Sequence, residues 1–405
     1  MGFLDRLLGA PTLESVARDV TRELRAMAVE DLKIDLSLAE LTFRLRGGEM
    51  RLYLGNLLQD LQNAPRRDRH ALLLRFLDGT LSPELEIPAA YADARASLVP
   101  VVRTTTDIGI MALCMPQGAT DVQEQLPVTQ RLSDDLVIAI VHDRPTSMGY
   151  VTGRQFATWE VTFEQMLADA LDNLRGLPEH EGWVQIGPVW SGTWGDSYES
   201  SRLLLPDLIH RVGVRDPVAV VPFRDWLLVT GADNDAGLAL MANLIEENAE
   251  SNQRWLSFKP MRLVERDWHP FVPTTGADGW RRLQRRSEAG AYQGQKELLD
   301  ASHQRTGSDL FVATFSIAAK EGGEPFSFAV WAEDVDTLLP RADRIAFGCN
   351  REDGENDWLL VPWNDAVRVV SERMEPTSHA PARWLVRSFP DAAQREALAG
   401  LAVKG

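Results

Sequence analysis

Cysteine is nearly absent: Cys114 and Cys349 are the two thiols in 405 residues, each within an apolar stretch. Two thiols build no disulfide framework, so a reducing cytoplasm is the expected compartment, with both side chains acting as small buried hydrophobes rather than nucleophiles. Long hydrophobic runs are missing as well. Ile108 to Met115 and Leu136 to Val141 are the longest, far short of the roughly 20 apolar residues that span a bilayer, so no membrane insertion is expected. The start, Met1-Gly2-Phe3-Leu4-Asp5-Arg6-Leu7-Leu8-Gly9, lacks the apolar core and cleavage site of a signal peptide. It reads as one turn of helix resting its apolar face on its own domain, and Arg6 stands where N-myristoylation requires Ser or Thr.

Positive charge is scarce: 42 Lys and Arg face 59 Asp and Glu, for a net charge of −17. Such a chain repels phosphate backbones, and no nucleic-acid partner is expected. The histidines His70, His142, His180, His210, His269, His303 and His379 stand singly, without the i, i+4 spacing of a helical zinc site or an accompanying Cys-x-x-Cys. There is no Gly-x-Ser-x-Gly elbow and no Walker-type Gly-Lys-Ser/Thr. No metal or cofactor is expected. The acidic stretch Glu352-Asp353-Gly354-Glu355-Asn356-Asp357 lacks the alternating ligands of a calcium loop and reads as a hairpin tip.

What is present is architecture. Asp225-Trp226-Leu227-Leu228-Val229 recurs unchanged as Asp357-Trp358-Leu359-Leu360-Val361. Each copy follows an apolar run, Val218 to Val221 and Ile345 to Phe347, and precedes Asn-Asp-Ala at Asn234 and Asn364. Strand, polar turn, strand and Asn/Asp-capped helix make one supersecondary unit, so the C-terminal part is expected to duplicate the middle in part, unless the match is chance. With 44% apolar and 25% charged residues the chain is globular, and its length calls for two or three domains.

Thr12 is placed to cap a helix whose apolar positions are Leu13, Val16, Ala17, Val20, Leu24 and Met27. Alternating runs 32–38, 41–45 and 50–54 read as strands, the last two joined at Gly47-Gly48, with helical patterns at 57–62 and 70–77. Further on, 99–103, 136–141, 149–152, 183–190 and 261–264 read as strands and 200–212 as a helix. Thr162 and Gln165 form a capping box opening another helix. Beyond Pro273, residues 280–301 form a polar helix with Arg281, Arg282, Arg285 and Arg286, read as a solvated linker rather than a binder of acidic surfaces. Strands return at 310–317 and 326–331. The fold class is α+β, small antiparallel sheets covered by helices. The expected division is a helix–sheet–helix module at 1–90, a middle α+β domain at 91–273, a linker with the polar helix at 274–307, and a separate C-terminal α+β domain at 308–405.

Pro100-Val101-Val102-Arg103, Asn173-Leu174-Arg175-Gly176-Leu177 and Tyr198-Glu199-Ser200-Ser201-Arg202-Leu203-Leu204 resemble, in order, segments of the bacterial YtpQ-like family, and the hairpin 217–229 sits where that family has its own. The resemblance covers roughly residues 10–273 and leaves out the C-terminal part. It implies a cytoplasmic bacterial α+β protein of unassigned function, and no activity.

Arg103, Arg175 and Arg202 each end or interrupt an apolar element, where a guanidinium needs a carboxylate or ligand partner. Apart, they are structural ion pairs with neighbours such as Asp172 or Glu199; converging, with Tyr198 or Ser201 supplying a hydroxyl, they make an anion site. The glycine- and tryptophan-rich stretch Trp190 to Asp196 reads as packing rather than a ring-stacking site. The function expected is a non-catalytic adaptor engaging an unidentified protein partner through its sheets. The alternative is a small-anion sensor or enzyme using the three arginines.

Overall fold

The computed structural model describes residues 10–36, 39–45, 48–81, 87–115, 121–144, 148–177, 182–250, 255–319, 324–350 and 356–403. The fold is α+β. The first nine residues, the Gly47 turn and the acidic stretch 351–355 lie outside the described residues, as does the Cys349 side chain. Cys114 is half-buried.

Helix α1 (Leu13–Ala26) opens with Thr12 accepting the Ser15 amide, the cap its sequence announces. Its stripe Val16, Ala17, Val20 and Leu24 packs on strands β1 (Glu30–Asp35), β2 (Glu40–Leu45) and β3 (Gly48–Tyr53), an antiparallel meander. Helices α2 (Gly55–Asn63) and α3 (Arg69–Leu81) join the same core through Leu57, Leu61, Leu73 and Leu77.

The middle of the chain holds two sheets. Strands β4 (Leu98–Thr104), β5 (Thr129–Arg131), β6 (Leu136–Asp143) and β7 (Met148–Tyr150) form the first, with β6 between β4 and the other two. Pro100 is tolerated within β4 because that strand pairs on one side only. The helix after β4, α4 (Thr105–Leu113), is capped by Thr104. Helix α5 (Phe163–Gly176), with its Thr162–Gln165 capping box, covers the outer face through Met166 and Ala170. The second sheet runs β13-β12-β10-β11-β9-β8, where β8 is Gly182–Ile186, β9 Val189–Thr193, β10 Pro217–Phe223, β11 Trp226–Gly231, β12 Met261–Val264 and β13 Asp267–Pro270. It packs one face on the first sheet and the other under α6 (Asp235–Asn248).

Three segments read as single elements are broken in two. Residues 183–190 turn back on themselves at Gly187, whose φ of +56° suits a tight hairpin between β8 and β9. Residues 200–212 form a 3₁₀ turn, Ser200–Leu204, and a separate short helix, Pro206–His210. Leu205 sits before Pro206 at ψ 80°, and the residue before proline is driven out of the helical region. The run 310–317 divides into β14 (Phe311–Val312) and β15 (Ser316–Ala318), which pair in different sheets.

Helix α7 (Ala277–Thr306) corrects the solvated-linker reading. Trp280 and Leu283 are buried with α6, while Tyr292 and Leu299 are buried among the C-terminal strands. Its arginines are spent on the fold. Arg281 pairs with Asp278 and Glu324, Arg282 with Glu246 and Arg285 with Asp343, and Arg286 lies over the Trp255 ring.

The C-terminal part has two sheets. One, β14-β17-β21-β20, contains β17 (Thr337–Pro340), β20 (Met374–Pro376) and β21 (Arg383–Val386). The other, β15-β16-β18-β19, contains β16 (Phe326–Ala332), β18 (Arg344–Asn350) and β19 (Asn356–Pro362). Helices α8 (Trp363–Val370) and α9 (Ala392–Leu401) cover its inner face.

Both Asp-Trp-Leu-Leu-Val copies are second strands of antiparallel hairpins leading into a helix. The helix starts differ. Asn234 caps α6 by accepting the Gly237 amide, but α8 begins at Trp363 behind Pro362. The two-residue-shorter spacing places Asn364 inside the first turn, where its Oδ1 accepts from Arg341.

Candidate functional site

The groove described below is lined by none of the five residues singled out by the sequence. Arg202 is 2% exposed, and its fork is filled by Asp196 through bonds of 2.8 and 2.6 Å, with the guanidinium 4.4 Å over Trp194. Asp196 also accepts the Tyr198 amide, so this pair fixes the turn between β9 and the 3₁₀ segment. Arg103 is buried in β4 and donates to Tyr150 Oη at 2.6 Å and to its neighbour's carbonyl at 2.8 Å. Arg175 is part-exposed at the end of α5, paired with Asp172 at 2.9 Å and Asp207 at 3.6 Å.

Ser201 is 1% exposed, out of reach of any ligand in solution. Tyr198 is buried too; burial first, then the Asp143 carboxylate, pushes its hydroxyl well above the usual tyrosine range. The tyrosine is thus gathered with Arg103, Asp143 and Asp196, while Arg175 makes its pairs with Asp172 and Asp207. Trp194 is 2% exposed and packs edge-on against Trp183 at 5.1 Å, leaving no open ring face for a ligand. Glu199, expected from the sequence as an ion-pair partner, instead accepts the Gly195 amide at 2.6 Å, and burial raises its carboxyl above the usual range.

The feature that stands open is in the second Asp-Trp-Leu-Leu-Val hairpin. Residues directly opposite in a ladder share a face. Phe328 and Arg344, Val330 and Ala346, Ala346 and Leu360, and Gly348 and Trp358 are opposed, so they make one face of the β16-β18-β19 sheet. The reverse face, with Ala329, Trp331, Ile345, Phe347 and Val361, lies in the C-terminal core. Phe326, Phe328, Val330, Ala346, Leu360 and Trp358, with Ala402 and Val403 at the rim, line a groove of about 550 Å³. The chain crosses that rim as a strand-like tail, the Val403 amide donating to the Leu360 carbonyl at 2.9 Å. Trp358 is 51% exposed, its ring laid over Gly348, where a Cβ would meet it at 2.7 Å.

The same pentapeptide is treated differently in its first copy. There Leu227 and Val229 pack on the first middle sheet, and the opposite face, Trp226 and Leu228, lies under Met241, Ala242 and Ile245 of α6. Trp226 stacks on Phe223 at 5.7 Å and donates Nε1 to Ser191 at 2.8 Å. Trp358 and Leu360 occupy the corresponding face, and among the described residues no helix lies above them. Moreover β16 and β18 run parallel, and parallel pairs are ordinarily covered on both faces. The alternation Phe326, Phe328, Val330 against Ser327, Ala329, Trp331 makes both faces of β16 apolar, which is the signal a sequence reading had available.

Among the described residues no group of three or more His, Cys, Asp or Glu is arranged to hold a metal ion, and no helix is long and apolar enough to cross a membrane. No family model matches the chain, and comparisons with curated proteins and with solved structures gave no match.

Proposed function

We propose that this is a non-catalytic, cytoplasmic interaction protein of the bacterial YtpQ-like type, whose C-terminal sheet receives an amphipathic helix from a protein partner. The observation that carries the reading is the uncovered apolar face bearing Trp358, set against the helix-covered equivalent bearing Trp226. Helix α6 supplies the template for the occupant: Leu238, Met241, Ala242 and Ile245 present an i, i+3, i+4, i+7 stripe. A helix of about 10 Å diameter matches the span of three strands spaced about 4.8 Å apart. The described residues lining the groove carry no charged side chain, and Arg344 on the same sheet face has its guanidinium 3.8 Å over the Phe326 ring, so the apolar contact dominates recognition.

The test is a photo-crosslinking residue at position 358, introduced in the native host. The expected result is a discrete heterologous adduct that Ala346→Arg abolishes while the chain still folds, as read by far-UV circular dichroism. An adduct of two copies of this chain would replace the partner by self-association. No adduct, or one insensitive to Ala346→Arg, refutes the site.

A further inference from the structure

The open face of the C-terminal sheet has two unlike ends. In its ladder Gly348 stands opposite Trp358, Ala346 opposite Leu360 and Arg344 opposite Pro362. Trp358 therefore marks one end and Arg344 the other, a separation of about 13 Å along β18 at roughly 3.3 Å per residue. Arg344 is half-buried, with its guanidinium over the Phe326 ring. Among the described residues it makes no hydrogen bond and no ion pair, and its Nη1 is enclosed without an acceptor. This is not for want of acids, in a chain with 59 Asp and Glu against 42 Lys and Arg. Asp343, its neighbour in the chain, accepts the Ser327 amide and pairs with Arg285, and Glu324, just before β16, is held by Arg281.

The first hairpin copy shows how a helix lies over such a face. There the place of Arg344 is taken by Val218, opposite Thr230 and buried. Helix α6 sets its first turn over Thr230, so close that a Cβ at Gly237 would lie 2.1 Å from Thr230 Oγ1. Its C-terminal end reaches the tryptophan end of the face. Trp255 donates to the Ala249 carbonyl there, and Trp255, Phe258, Phe223 and Trp226 pack ring against ring in series. Helix α6 thus runs antiparallel to β11. The lengths agree: Asp235 in the first turn and Ile245 at the end of the stripe are about 15 Å apart at roughly 1.5 Å per residue.

A helix laid on the second copy with this polarity brings the positive end of its dipole over a cation. A carboxylate in its first turn removes the conflict, because it suits the helix's own dipole and gives Arg344 the acceptor it lacks. We propose, taking the groove to be a helix site as above, that the partner's helix carries an Asp or Glu in its first turn that pairs with Arg344, and that its apolar stripe runs antiparallel to β19 and ends on Trp358. The stripe supplies the affinity. The ion pair fixes the direction in which the helix lies and excludes helices with a basic first turn.

Photo-crosslinking residues at positions 328 and 358 of the intact chain, in the native host, report the two ends, since Phe328 is opposite Arg344. The partner segment captured from position 328 is expected to lie about nine residues N-terminal to the one captured from position 358, in the same helix, and to contain an Asp or Glu. Arg344→Glu is expected to lower the adduct yield at 358 by at least about tenfold, and Arg344→Leu, which keeps the apolar contact, by about fivefold. Arg344→Lys should stay within about twofold, and all three should keep the far-UV circular dichroism of the parent. Replacing the captured carboxylate by Lys is expected to restore the yield with Arg344→Glu. An adduct at 358 that Arg344→Glu and Arg344→Leu leave unchanged, a captured helix in the reverse direction, or one without an acidic first turn overturns the Arg344 pairing and leaves the helix site standing. No adduct at 358, or one joining two copies of this chain, removes the helix site and the pairing together.

Discussion

Arg383→Met asks whether a buried guanidinium that makes no ion pair among the described residues holds the C-terminal part together. Arg383 is 1% exposed in β21. Nε donates to Gln295 Oε1 at 2.5 Å, Nη1 to the Ala313 and Leu338 carbonyls at 2.8 and 2.9 Å, and Nη2 to the Tyr292 carbonyl at 3.3 Å. One side chain therefore ties α7 to β17 and to the loop after β14. Burial lowers its pKa to about 10, which costs the charged form about 3 kcal/mol.

Methionine removes that cost but also four hydrogen bonds; the Leu338 carbonyl keeps the Ala313 amide and the Tyr292 carbonyl lies within α7, so Gln295 Oε1 and the Ala313 carbonyl are the acceptors left without the donor they had, each worth about 1–3 kcal/mol. At about 2–3 kcal/mol apiece the loss is roughly 4–6 against roughly 3 recovered, a net destabilisation of about 1–3 kcal/mol. Amide hydrogen exchange reads this locally. Protection of residues 337–340 and 383–386 is expected to fall by about one to two orders of magnitude, while residues 40–45 and 48–53, in a separate core, keep theirs. Arg383→Lys, with the charge but no fork, should lie between the two. A change of less than about threefold in the methionine variant would refute the reasoning, because desolvation would then cancel the hydrogen bonds.

Two further perturbations have clear signs. A Cβ at Gly192 would lie 2.3 Å from Trp194 Cζ3, and that ring is pinned between Trp183 and Arg202. Gly192→Ala is therefore expected to cost about 1–3 kcal/mol in urea unfolding, and more than Gly348→Ala, whose neighbour Trp358 is half exposed and has room to swing; equal costs would contradict this. Glu288 has its folded pKa above the unfolded one, so the folded state binds the proton more tightly, and the penalty is present above the folded pKa and gone below the unfolded value near 4.5. Glu288→Gln should raise the melting temperature at pH 7 and lose that advantage by about pH 4; the opposite trend would show a carboxylate stabilised by its surroundings.

Local signals were legible wherever a single element decided the outcome. Thr12 and Thr162 announce helix starts because a hydroxyl before an apolar stripe satisfies amides that the first turn leaves open. The repeated pentapeptide announced two strand–turn–strand–helix units, and both are there. Arg202 was readable as needing a partner, although its carboxylate turned out to be Asp196 rather than Glu199, since the turn at Ser197, with φ of +67°, carries the chain back on itself. The exposure of Trp358 was not legible. It sits in a pattern that, in the first copy at Trp226, belongs to a packed position.

By itself the sequence determined the α+β class, the places where most helices and strands begin, and the absence of any familiar catalytic signature. These follow from periodicity, capping and turn chemistry, which act over a few residues. Tertiary structure alone decided that α7 is buried in two cores, that Arg383 is enclosed by carbonyls, and that Trp226 is covered while Trp358 is open. Identical residues in identical hairpins cannot encode that last difference. What covers the second face of a sheet is set by elements distant along the chain, here by α6 reaching over one copy while no described helix reaches over the other.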